Sequence, residues 1–143
     1  MLDISMFREH ADVIRADHDR RGLTHENIDE VIRLDEEWRR ARYDADQLRK
    51  ARNEAARGVA AAKKSGDSAT VDSIMAEVAD IGAKIDDLGA HSNECLAQRD
   101  ALRMRIPNIL HTDVPVGEDD QKNTLRSMHG CLLYTSPSPR DRG

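Results

Sequence analysis

The feature that most constrains this chain is an unbroken alternation of three- and four-residue steps between core-type positions, sustained through two long stretches. In the first, about residues 28–64, these positions are Val31, Leu34, Trp38, Ala41, Ala45, Leu48, Arg52, Ala55, Val59 and Ala62. In the second, about residues 67–106, they are Val71, Ile74, Val78, Ile81, Ile85, Leu88, Ser92, Cys95, Arg99, Leu102 and Ile106. Such a repeat keeps one stripe of a helix turned toward a partner helix. Folding the chain back at Ser65-Gly66 sets Ala62 opposite Val71, Val59 opposite Ile74 and Ala55 opposite Val78. The same register sets Arg52 opposite Ile81, Leu48 opposite Ile85, Ala45 opposite Leu88 and Trp38 opposite Cys95. Small residues meet large ones, as interdigitated layers require. Each arm would reach about 60 Å, at roughly 1.5 Å per residue.

The predicted fold is therefore all-α: a long antiparallel two-helix coiled-coil hairpin spanning about 28–106, its tip at about 63–68. Two short N-terminal helices complete it. Asp3 is placed to cap the first, which carries Ile4 and Phe7. The second starts near Ala11, carries Val13 and Ile14, and stops near Gly22. Too short to persist alone, they are expected to pack at the hairpin base, against Trp38 and the Leu102–Ile106 end. Trp38 is read as a core anchor there. Thr24 is the predicted cap of the first arm, with Asn27 three residues on. At the tip, Gly66 supplies a left-handed stop and Asp67 or Ser68 caps the second arm, which Pro107 ends.

Composition agrees with a thin seam rather than a thick core: 34% of residues are charged and only 3% aromatic. The net charge of −5 argues against general nucleic-acid affinity, so any such binding must be local. Two cysteines make no disulfide framework, and Cys95 lies on the seam as a small hydrophobe. No apolar run approaches the ~20 residues of a membrane span, and Met1-Leu2-Asp3-Ile4 does not resemble a signal peptide. A soluble, cytoplasmic protein is expected.

Charge is divided between the arms. Residues 39–64 hold nine basic residues against three acids, a net of +6, whereas residues 67–100 hold two basic residues against eight acids, a net of −6. Arg42, Arg49 and Lys63 share one flank of the first arm, with Lys50, Arg57 and Lys64 beside it. This stripe could meet successive phosphates of a structured nucleic acid. Equally, the asymmetry could serve salt bridges between the arms. Spacing leaves both open, and the two are compatible. Arg52 and Arg99, on the seam, are expected to lay their aliphatic stems along it and send their guanidinium groups outward.

Catalytic signals are absent from the pattern. His10, His18, His25, His91, His111 and His129 show no metal-ligand spacing, no second cysteine lies near Cys95, and there is no glycine-rich phosphate loop. Acid pairs such as Asp86-Asp87 read as solvated helix surface. No catalytic, cofactor or metal residue is assigned.

Several segments together resemble the N-terminal region of the seryl-tRNA synthetase family. They are Met1-Leu2-Asp3-Ile4-Ser5-Met6-Phe7-Arg8-Glu9-His10, Val13-Ile14-Arg15 with Arg20-Arg21-Gly22, Leu34-Asp35-Glu36-Glu37-Trp38-Arg39, and Leu48-Arg49-Lys50-Ala51-Arg52-Asn53-Glu54. Further on, Arg105-Ile106-Pro107-Asn108-Ile109-Leu110-His111 and Val114-Pro115-Val116-Gly117 are similar to that family's passage from arm to catalytic domain. Leu125-Arg126 through Gly130 is a looser match. The resemblance implies a hairpin that grips the long variable arm and elbow of serine tRNA. It also implies a class II enzyme, usually a homodimer, that attaches serine using ATP and Mg²⁺. The tRNA-facing role falls on Arg42, Arg49, Lys50, Arg52, Asn53, Arg57, Lys63 and Lys64. No DNA or membrane partner is expected.

The expected division is a tRNA-binding domain over 1–106 and a linker over 107–130 toward a catalytic domain that this sequence lacks, so the chain alone should be inactive. Residues 131–143 change composition abruptly and resemble translated sequencing-adapter DNA. They are set aside. The rival reading is a free-standing coiled-coil hairpin that binds another protein. A cofactor-handling hairpin would need apolar residues at the tip, and Lys63–Ser68 offers none.

Overall fold

The structure, a computed structural model, describes residues 1–117, 121 and 123–125. Part of the predicted Glu118–Asn123 connector, the run 126–130 and the segment 131–143 lie outside the described residues. Among the described residues four α-helices follow one another: α1 (Ile4–Glu9), α2 (Ala11–Arg21), α3 (Glu26–Ser65) and α4 (Ser68–Arg105). Strands are absent among the described residues, and no helix there is long and apolar enough to cross a membrane. Backbone contacts divide the chain into two units, Met1–Ile109 and Leu110–Gly143. In the second, Val114 N–H closes a turn by donating to the His111 carbonyl at 3.1 Å.

In the first unit α3 and α4 pair along their length as the hairpin that the heptads require. Seam residues Val31, Leu34, Ala41, Ala45, Ala62, Ile85, Ser92 and Cys95 are buried. Leu48, Ala55, Val59, Val71, Ile74, Val78, Ile81 and Leu88 are half-buried, as expected when a seam has only one partner helix and open flanks. Contacts across the arms follow the predicted register: a Cβ built at Gly58 would meet Ile74 Cδ1 at 3.7 Å, and Glu37 lies against Cys95.

Helix ends are set by local chemistry. Asp3 Oδ1 accepts from Ser5 N at 2.8 Å. Gly66, at φ +75°, ends α3: its N–H donates to the Lys63 carbonyl and Asp67 N–H to the Ala62 carbonyl, both at 3.3 Å. This paired arrangement is a Schellman turn. Asp67 then caps α4, accepting from Thr70 N at 3.2 Å. Ile106 is extended (φ −81°, ψ 122°), the conformation that a following proline favours. One cap differs from expectation. His25, not Thr24, occupies the N-cap of α3 and makes no side-chain cap bond, so the first turn relies on Glu26 and Asp29 near the positive helix end.

At the base, Phe7, Ile14, Ile28, Val31 and Ile106 form a buried apolar cluster with Leu2, Ile4, Met6, Ile32 and Leu102 around it. Val13 stays 40% exposed. Trp38 is half-buried and lies outside this cluster. Its ring instead carries two guanidinium groups, with Arg42 Cζ 5.3 Å and Arg99 Cζ 5.2 Å from the centroid.

Candidate nucleic-acid interface

Charge at the base is buried and paired. Asp35 is 2% exposed. It accepts from Arg8 Nε and Nη2 at 2.7 and 2.8 Å and from Arg99 Nη1 at 2.7 Å, with Arg39 Nε at 3.2 Å. Burial pushes the Asp35 carboxyl up, but the bonds from Arg8 and Arg99 outweigh it and hold the group below the usual carboxylate range. Arg99 is 6% exposed and also reaches Asp100 Oδ1 at 2.9 Å. The expectation that its guanidinium points outward is therefore corrected. A buried acid on the facing arm draws it inward, and the seam closes over it. Arg103 extends this network, donating to Asp100 Oδ1 at 2.9 Å and to the Leu2 carbonyl at 2.8 Å.

Along the arm the picture reverses. Arg42, Arg49, Lys50, Arg52, Asn53, Arg57, Lys63 and Lys64 are all exposed on α3. Arg52 lies on the seam by sequence yet is exposed, so the outward reading holds there. Arg49 Nη1 pairs locally with Asp46 Oδ1 at 2.6 Å, both side chains more than half exposed. Such surface pairs contribute about 0–1 kcal/mol and exchange readily for a stronger anion. Arg42 is stacked on Trp38. Among the described residues, Lys50, Arg52, Arg57, Lys63 and Lys64 enter no ion pair, and no basic residue of 39–64 pairs with an acid of α4. Salt bridging between the arms is confined to Arg99 and Asp35, with the signs opposite to the overall asymmetry. The basic edge is thus uncommitted to the acidic arm. Residues seven apart on it rise about 10 Å along the helix, a spacing at which a rigid rod can meet a folded polyanion repeatedly.

One group was not picked out by sequence reasoning. Glu37 from α3 and His91 and Cys95 from α4 bring ligand-type atoms within 4.8 Å of one another. Cys95 Sγ is 3.7 Å from Glu37 Oε2 and 3.6 Å from His91 Nε2. Burial, then the Glu37 carboxylate, push the Cys95 thiol up. The i, i+4 spacing of His91 and Cys95 was readable in the chain, and Glu37 adjoins Trp38, which the register sets opposite Cys95.

A slender antiparallel hairpin with an exposed basic edge, standing on a small helical base, defines a helical-arm module. The Seryl-tRNA synthetase N-terminal domain family model matches residues 1–110, and the chain belongs to that family. A serine–tRNA ligase from Thermococcus onnurineus is 37% identical over 125 residues, which are 86% of this chain and 27% of the relative. One from Methanoregula boonei is 38% identical over 125 residues, 86% of this chain and 29% of the relative. The crystal structure of seryl-tRNA synthetase from Pyrococcus horikoshii complexed with ATP matches with a TM-score of 0.80 at 34% identity, covering 86% of this chain and 28% of that one. A cytoplasmic serine–tRNA ligase from Naegleria fowleri, at 20% identity and a TM-score of 0.76, shares the fold. The chain spans less than a third of the curated relatives' length.

Proposed function

We propose that this chain is the tRNA-gripping arm of a seryl-tRNA synthetase. Its α3 edge, formed by Arg42, Arg49, Lys50, Arg52, Asn53, Arg57, Lys63 and Lys64, lies along the backbone of the long variable arm and elbow of serine tRNA. The observation that carries this reading is a run of exposed basic side chains along one edge of a family-matched hairpin, none of them paired with the acidic arm and five of them, Lys50, Arg52, Arg57, Lys63 and Lys64, in no ion pair among the described residues. An A-form helix offers proteins mainly phosphates and 2′-hydroxyls, which suits long cationic side chains on a rigid rod. Arg42, stacked on Trp38, and Arg49, tethered to Asp46, present their charge with less rotamer freedom to lose on binding. Under this reading, serine activation with ATP and Mg²⁺ and the homodimeric assembly belong to the remainder of a full-length enzyme in the cytoplasm. The chain by itself is inactive in aminoacylation.

The test is a titration of serine tRNA over a range of salt concentrations with the parent chain and with Arg49→Ala plus Arg57→Ala. Loss of two phosphate contacts weakens binding and makes the slope of log K against log salt shallower by about 1.4–1.8. An unchanged slope overturns the assignment of this edge. No RNA binding by the parent would instead favour the protein-binding hairpin.

A further inference from the structure

We propose that Glu37, His91 and Cys95 form a cross-arm site for a divalent transition ion of zinc type, pinning α3 to α4 in the base half of the hairpin. The two separations from the sulfur suit such an ion, and the three ligand atoms together lie within 4.8 Å of one another. A zinc ion with a thiolate at about 2.3 Å and nitrogen or oxygen ligands at about 2.0–2.1 Å, arranged tetrahedrally, sets sulfur about 3.6 Å from each of the others. The structure has Cys95 Sγ at 3.6 Å from His91 Nε2 and 3.7 Å from Glu37 Oε2.

The ligand types agree with the distances. Thiolate, imidazole and carboxylate together select a borderline ion such as Zn²⁺ or Co²⁺ over Mg²⁺ or Ca²⁺, which take oxygen ligands. Glu37 is oriented from outside: Arg33 Nη1 pairs with its Oε1, leaving Oε2 toward the sulfur. Metal sites commonly fix a carboxylate this way through a second hydrogen bond. Cys95 is 3% exposed whereas His91 is exposed, so the ion enters from the His91 side and the sulfur lies innermost. On binding, the S–H proton passes to solvent as the metal–sulfur bond forms, and water fills the fourth position. A hydrogen-bond chain from His91 through Cys95 to Glu37 accounts for the same distances without an ion, and the metal titration separates the two readings.

Co²⁺ alone, in chelator-free buffer, is the probe, titrated into the full chain. One Co²⁺ per chain is expected, with thiolate-to-metal charge transfer in the near ultraviolet, the visible bands of tetrahedral cobalt, and displacement by Zn²⁺. Because His129 and Cys131 are also thiol and imidazole, two variants separate the sources. Cys131→Ser keeps the charge-transfer band, and Cys95→Ser abolishes it. His91→Ala, a surface change that leaves the helical circular dichroism intact, weakens Co²⁺ binding by more than about 100-fold, beyond the effect of an outer contact. Zn²⁺ raises the melting temperature of the parent but not of His91→Ala. The proposal is overturned if no thiolate band forms, if the band follows Cys131, or if His91→Ala binds Co²⁺ as the parent does.

Discussion

Replacing Asp35 by alanine tests the charge network at the base most directly. The carboxylate gathers Arg8 from α1, Arg39 from its own helix and Arg99 from α4. These partners do not lose equally. Arg8 and Arg39 are 35% and 52% exposed and turn to water at little cost, but Arg99 is 7% exposed and is stranded. Removing one partner of a buried ion pair costs about 3–5 kcal/mol. Arg99 keeps its contact with the part-exposed Asp100, so the lower end, about 3 kcal/mol, is expected. At about 2.1 cal/mol/K of unfolding entropy per residue over the Met1–Ile109 unit, the melting temperature falls by about 13 °C. Urea unfolding followed by far-ultraviolet circular dichroism reads the loss as a shift of about 1.5 M at an m-value near 2 kcal/mol/M. Asp35→Leu combined with Arg99→Met recovers most of it, because the penalty lies in the orphaned charge and not in a missing attraction. A loss below about 1 kcal/mol in Asp35→Ala, or no recovery in the double variant, would refute this account.

Alanine in place of glycine should act with opposite signs at two positions of the same arm. Gly66→Ala forces a left-handed residue at φ +75°, where a Cβ meets nothing but the backbone strains, and costs about 1 kcal/mol in urea unfolding. Gly58→Ala, inside α3 with Ile74 Cδ1 at an ordinary 3.7 Å, gains about 0.5–1 kcal/mol. Acid should loosen the base. Asp35 and Asp100 titrate below the ordinary Asp value of about 3.9 when folded, so the unfolded chain takes up protons first as pH falls through that value. Their contribution is complete above it and lost progressively below it, and Asp35→Asn flattens the pH dependence of stability measured by urea titration.

The hairpin was legible in the sequence because a two-helix seam depends on one periodicity and one register, and both are local properties of the chain. The basic edge was legible for the same reason, since positions seven apart share a flank whatever surrounds them. Arg99 was misread because its partner's burial has a different origin. Asp35 sits beside the seam, and α1 helps to cover it by bringing Arg8 against it, a contact between residues 27 apart in sequence. Trp38 was misplaced by the same gap, since which α3 residues the short helices cover depends on tertiary packing. The cluster of Glu37, His91 and Cys95 needed the register and the helical spacing to be read together.

The register described for α3 and α4 pivots on Gly66, so every layer is numbered outward from the tip. A single inserted residue in one arm would throw all layers between it and the base out of step. Matched insertions of one heptad in each arm would leave them intact and move the tip outward by about 10 Å. The arm is therefore a ruler graduated in heptads. Its length can change only in paired increments, while the base and its buried charges stay as they are.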